Sequence, residues 1–462
     1  MLAGGEFWTF ACLPVIAIGY ASTLVAQHHG RKQRRLIGPT VWQTVWLTLA
    51  TLPFFAAVAA LAGPLFAALG HAPELVNNEV TYFRMLLCAA PASMLEGGLT
   101  SFFTGRSRAM PILLANLLCT ALNVPLNDLL IFGPGSLPDL GTFGASLSTV
   151  LCVWAKVAVF VWALSRYGRL ERFERLERFG LERWRPDWQL MKPLVRRGFP
   201  LGSQQLIRSA FTSGFFAQLG AAGVQALSAS GIVMSLNQLV LIPLIGLSTA
   251  ATVLIAQWQD QNPAAAKRVA LLAGVPALGL TAAAGVVYCL APQTLRDMLR
   301  GNALENADLG AAVTFVLMVS GPLLVLETTC QLGMAFLRGL TRTGAMLRAT
   351  VISTACVVPA AAAAYFAGHS SLATMWLLYL SWTGIQAALL GFECASAWWP
   401  FATRRLTGRL RSLVVRVAYP VSKPYSPLPA GPIAAAMTSA AVTTAVAASA
   451  AAKAVDAVTL SS

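Results

Sequence analysis

Charge is what this sequence has least of. Asp, Glu, Lys and Arg make up 11% of its 462 residues, against about 25% in a soluble domain. A chain this poor in charge cannot clothe a water-facing surface. Histidine is scarce as well, and the four present (His28, His29, His71 and His369) read as loop residues. The eight cysteines, Cys12, Cys88, Cys119, Cys152, Cys289, Cys330, Cys356 and Cys394, lie in or beside apolar runs with no paired spacing. That pattern excludes a disulfide framework and a zinc site. No basic stretch followed by a small-residue cleavage site opens the chain, so no signal peptide is read. Neither a nucleophile with a histidine, nor a metal cluster, nor a phosphate loop is present, which argues against an enzyme. Also lacking are the alternating segments of about ten residues that mark a membrane barrel.

What is there is apolar: 56% hydrophobic residues and a mean hydropathy of +0.66. The bilayer is the expected solvent, and helices satisfy their own backbone there. A spanning helix needs about 20 apolar residues. Eleven candidates fit, at roughly 8–27, 41–63, 80–103, 109–132, 142–165, 196–219, 223–256 (with a short entry loop), 264–290, 309–337, 343–367 and 371–397. The expected class is an all-α polytopic membrane protein.

The net charge of +15 is not spread as a nucleic-acid-binding surface would spread it. HHGRKQRR (28–35), GRSR (105–108), 166–197, the Lys267–Arg268 region, 338–348 and the tail after 401 are basic, while most alternate loops are poor in Lys and Arg. By the positive-inside rule the basic set is cytoplasmic. A multi-pass protein of a bacterial inner membrane is expected, surrounded by lipid, monomeric and without nucleic-acid partners.

Residues 1–165 form the expected N-terminal bundle of five helices and 193–400 a C-terminal bundle of six. Between them, 166–192 is a basic linker whose Leu, Phe and Trp spacing fits an amphipathic helix at the cytoplasmic interface and whose charge run fits equally a solvated connector. From 401 the chain is a basic tail that turns Ala-, Thr- and Ser-rich, and 423–462 reads as disordered or loosely helical.

The two bundles say similar things. LPVIAIGYASTLVAQ (13–27) is echoed by IPLIGLSTAATVLIAQ (242–257), 230 positions later. Pro91 and Glu96 are echoed by Pro322 and Glu327, offset by 231. Two halves in the same orientation are a transporter architecture. The counterpart of the 196–219 helix would precede Met1, so the expectation is two six-helix bundles present here as 5+6, with the N-terminus displaced to the outside.

These stretches resemble the multidrug and toxin extrusion (MATE) family. The resemblance rests on LPVIAIGYASTLVAQHHGR, APASMLEGGLTSFFTGRSRAMPILLANLLCTALNVPLNDLLIFG, LGTFGASLST, GFPLGSQQL and the LRG at 337–339. It covers residues 1 to about 400. It implies a secondary transporter of two helical bundles around a central cleft, exporting organic, often cationic, compounds against H+ or Na+ by alternating access, with no other cofactor. A lipid-linked saccharide flippase of the same superfamily is the alternative, using interior cations such as Arg208 and Lys156. A non-transporting relic is another.

Carboxylates inside spans are costly and therefore functional candidates. Glu327 leads: it lies five residues past Pro322, and the family resemblance places an acidic residue eleven positions before Arg338. Glu96 is its repeat mate. Asp128 lies nearer an outer helix end. Glu393, near the cytoplasmic end, is expected to snorkel. Asn123 corresponds by resemblance to an Asn near a proton or sodium site. Arg208, Lys156 and Gln204 complete the polar candidates. By the resemblance Arg208 stands where many bacterial relatives have Glu, so it either pairs with Glu327 or Glu96, marks a substrate that is not a simple cation, or faces elsewhere; Lys156 needs a carboxylate partner.

Overall fold

The computed structural model describes residues 2–67, 73–133, 140–170, 179–298, 307–367 and 371–418. All regular structure among them is helical. In the first half the helices are α1 (Leu2–Gly19), α2 (Ala21–Gly30), α3 (Ile37–Ala67), α4 (Pro73–Thr104), α5 (Met110–Phe132) and α6 (Gly141–Leu170). In the second they are α7 (Trp188–Ala222), α8 (Val224–Trp258), α9 (Pro263–Leu290), α10 (Pro292–Met298), α11 (Ala307–Gly339), α12 (Thr343–Phe366) and α13 (Leu372–Ala418).

Ten helical stretches among the described residues are long and apolar enough to cross a membrane. They match ten of the eleven expected spans. The eleventh, 196–219, is helical as part of α7, but Lys192, Arg196, Arg197 and Arg208 make that helix more polar than its neighbours. The span expected at 8–27 is broken at Tyr20, where α1 ends and α2 begins, six residues after Pro14. Pro14 itself lies inside α1; a proline constrains the turn before it and not residues six positions on. Elsewhere Pro91, Pro125, Pro243, Pro322 and Pro359 sit inside uninterrupted helices. The entry loop expected in 223–256 is absent, since α8 starts at Val224 directly after Gly223, whose φ is +127°. His28 and His29 belong to the last turn of α2 rather than to a loop.

The linker departs most from expectation. Residues 171–178 lie outside the described residues, and 179–187 form a loop, not a helix. This loop is fastened to α3: the Trp42 indole donates to the Leu181 carbonyl at 2.8 Å, that of Trp46 to Trp184 at 2.6 Å, and Gln43 exchanges bonds with Arg185 and Asp187. Phe179 is buried against Phe102, and the Arg106 guanidinium lies over both rings, 4.8 and 4.3 Å from their centroids. Among the described apolar residues of this stretch, Phe179, Leu181 and Trp184 are engaged in tertiary contacts. The expected tail at 423–462 lies outside the described residues, while α13 continues to Ala418.

The chain divides into two compact units, Met1–Gly214 with Thr341–Leu347, and Phe215–Leu340 with the residues from Arg348 onward. That division falls inside α7. Within unit 1, α4 packs against α1, α2, α3, α5 and α6, and its core holds Phe66, Phe83 and Met94. Gly198 and Gly202 of α7, four residues apart, admit the carbonyls of Ala17 and Leu13 of α1 where a side chain would clash. Small residues at this spacing are how helices approach closely in lipid. Within unit 2, α11 packs against α8, α9 and α13.

The repeat survives in three dimensions. A side chain on Gly105 after α4 would strike Val25 at 2.6 Å, and one on Gly339 ending α11 would strike Ile255 at 2.7 Å. Two residues beyond each glycine a non-glycine residue turns left-handed, Ser107 at φ +59° and Thr341 at φ +64°.

Candidate functional site

Glu327 is positioned by α11, the central helix of unit 2, and is only 8% exposed. The Tyr379 hydroxyl on α13 donates to its Oε1 at 3.3 Å. Around that tyrosine lies a set of aromatic rings: Phe215 at 4.9 Å between centroids, Trp382 at 5.8 Å and Trp376 at 6.1 Å. The indole N–H of Trp376 is satisfied by Ser230 at 2.9 Å, and that of Trp382 by Thr354 at 3.0 Å. Such bonds matter because a buried polar group without a partner is expensive. A carboxylate beside fixed aromatic faces presents two features that attract organic cations, a charge and ring quadrupoles.

Glu96 sits in the equivalent helix of unit 1 but has a different partner. The Lys156 ammonium on α6 lies 3.1 Å from its Oε1, with the two side chains 24% and 23% exposed. Lys156 thus has the carboxylate its position requires. Beside the pair a polar chain joins α5 to α6. Asn123 donates to the Cys152 sulfur at 3.4 Å, Asn127 donates to Asn123 at 3.1 Å, and Ser148 donates to Asn127. Ser148, Cys152 and Lys156 are spaced by four, so they share one face of α6, as Asn123 and Asn127 share one face of α5.

Asp128 is on α5 next to Asn127 but is exposed, and it takes no part in the Asn123–Asn127–Ser148 bonds. Gln204 is buried on α7, and Arg208, one turn on, is half-buried. Glu393 does not simply snorkel: Arg348 of α12 reaches its Oε1 at 2.9 Å. Sequence reasoning missed Tyr379, Asn127, Ser148 and Cys152. The spacing of Asn123 with Asn127, and of Ser148 and Cys152 with Lys156, was available as a signal. Tyr379, 52 positions from Glu327 on another helix, offered none. Among the described residues no group of three or more His, Cys, Asp or Glu is placed to hold a metal ion.

Comparison with known proteins agrees with this architecture. The MatE family model matches residues 2–129 and 204–363. The chain is 28% identical to the probable multidrug resistance protein NorM of Rhizobium meliloti over 331 residues, 70% of this chain and 68% of that one. It is 27% identical to the multidrug resistance protein PmpM of Pseudomonas aeruginosa over 252 residues, 54% and 52% of the two chains. Among solved structures, a multidrug resistance MATE transporter of the MOP superfamily in an outward-facing conformation superposes with a TM-score of 0.71 at 20% identity, covering 86% of this chain and 87% of that one. A MOP superfamily transporter from Pyrococcus furiosus, described as having a binding pocket of reverse polarity, gives the same TM-score at 18% identity, covering 85% of each chain. A family match extending through both repeated halves, on a fold of membrane-crossing helices, means that the chain belongs to the multidrug and toxin extrusion family.

Proposed function

We propose that this protein is a secondary active exporter of organic, predominantly cationic compounds, working in the inner membrane of a bacterium by exchange against H+ or Na+. The observation that carries the proposal is Glu327: a carboxylate 8% exposed, within a membrane-spanning helix and hydrogen-bonded to a tyrosine of an aromatic cluster. A carboxylate so placed is costly to leave charged and uncompensated. If proton or sodium and the organic cation compete for it, occupancy by one requires release of the other, and exchange follows. Direction comes from alternating access, in which each ligand binds the outward and inward states unequally. The names of the curated relatives support multidrug export as the task.

The test is accumulation of a fluorescent cationic dye in efflux-deficient bacteria expressing this chain or its Glu327→Gln variant. Lower dye with the parent chain, restored to the empty-vector level by Glu327→Gln at equal membrane expression, supports the proposal. Equal export by both chains removes Glu327 from the mechanism. Export of anionic but not cationic dyes removes cationic compounds as the substrate class.

A further inference from the structure

The Glu96–Lys156 pair is not needed to explain the fold. Burying two ions in an apolar setting costs as much as their attraction returns, so such pairs are weak evidence for a stabilising role. Both residues lie well inside membrane-crossing helices, at Val76–Thr104 and Gly141–Arg166. A charged residue there calls for a functional account. The contact is a single 3.1 Å approach, and each partner keeps about a quarter of its side-chain surface exposed. Lysine is a point charge on a flexible stem, unlike arginine, whose planar fork would clamp the carboxylate. The ammonium can therefore leave and return. The titratable groups near the pair are the thiols of Cys119 on α5 and Cys152 on α6. No further charged side chain from the helices packed on α4 has an interaction with either partner among the described residues.

We propose that Lys156 is a resident counter-cation: its ammonium occupies the position at Glu96 that a monovalent cation from solution would otherwise fill, and so closes this carboxylate to exchangeable ions. Removing the ammonium leaves a carboxylate within the membrane that must be neutralised from outside. The incoming species is a sodium ion or a proton, and these share the same chemistry here, a single positive charge delivered to Glu96. The proposal concerns occupancy of one site in unit 1, and stands or falls whether or not the protein exports drugs.

The experiment follows thermal unfolding of the purified full chain in detergent. Sodium chloride is compared with choline chloride at equal ionic strength, and the series is repeated across pH. The parent chain and Glu96→Gln are expected to respond to sodium alike. Lys156→Met is expected to gain an upward shift of a few degrees on adding sodium, because a ligand bound only by the folded state stabilises it. The double variant Glu96→Gln/Lys156→Met loses that gain. If the proton is the replacement, Lys156→Met gains stability as pH falls and is indifferent to sodium, and the double variant again loses the effect. Lys156→Gln, which keeps a hydrogen-bond donor while removing the charge, serves where Lys156→Met is too unstable to purify. Two results overturn the proposal: charge-removing variants no more responsive to sodium or pH than the parent, or a sodium response in the parent that Glu96→Gln abolishes.

Discussion

Glu96 and Glu327 begin from the same local sequence. Each follows a proline by five residues in a long apolar helix, and each helix packs centrally in its unit. Their surroundings differ in kind. Glu96 meets a lysine at 3.1 Å and is about a quarter exposed, whereas Glu327 meets a tyrosine hydroxyl within an aromatic cluster and is 8% exposed. They also differ in depth. Glu96 lies nine residues before Gly105, and Glu327 lies twelve before Gly339. Taking the two glycines as equivalent anchors, Glu327 sits about 4.5 Å further from the cytoplasmic helix end, at 1.5 Å per residue. The duplicated motif thus sits beside a lysine in one half and beside a tyrosine of an aromatic cluster in the other.

The largest test of this contrast is Glu327→Gln set against Glu96→Gln. Export of a cationic dye should fall by at least about tenfold with the first, equivalent to about 1.4 kcal/mol, and by much less with the second. Similar losses from both would erase the distinction between the halves.

Stability should show the opposite ranking. Lys156→Met strands a carboxylate, which costs about 3–5 kcal/mol in a fully buried pair. With a quarter of each side chain exposed, about 1–3 kcal/mol is expected in denaturant unfolding, and the double variant with Glu96→Gln should recover most of it. A double variant no better than Lys156→Met would mean that Lys156 acts through packing.

The glycine contacts probe what the halves share. Gly105→Ala and Gly339→Ala each push a methyl into Val25 or Ile255, and overpacking costs about 1–3 kcal/mol. Similar losses of thermal stability are expected from both. A loss at one site alone would show that the repeat is not mechanically equivalent.

Tyr379→Phe removes the donor to Glu327 while keeping the ring among Phe215, Trp376 and Trp382. A hydrogen bond to a charged group contributes about 1.5–3 kcal/mol. At 3.3 Å this one belongs at the weak end, so unfolding should be easier by about 1.5 kcal/mol and initial export rates should fall severalfold. The smallest effect belongs to Asp128→Asn: an exposed side chain outside the polar chain should alter stability by no more than about 0.5 kcal/mol. Export measured alongside should match the parent.

Much of the fold was legible because the solvent is lipid. Apolar runs of spanning length have few alternatives to helix, so all eleven expected spans appear as helices, ten of them long and apolar enough to cross a membrane, and both repeats are visible from Pro91, Glu96, Pro322 and Glu327. The linker leaves two readings open for an equally physical reason. Leu181, Trp184 and Phe179 are apolar whether they face lipid or dock on α3 and α4, and spacing does not separate the two. For the same reason the polarity of α7 could be read, but not that the division between the two units falls within it.

The sequence by itself determined the class, the duplication and which side chains were too costly to sit in a membrane without a task. Composition and period are local properties, and the bilayer converts them into helices almost without choice. Only the tertiary structure decided the partners: lysine for Glu96, tyrosine for Glu327, arginine for Glu393. Those pairs join residues 45 to 60 positions apart on different helices. Side-chain partners on separate helices are set by rotation and depth in the packed bundle, which no periodicity along one chain encodes.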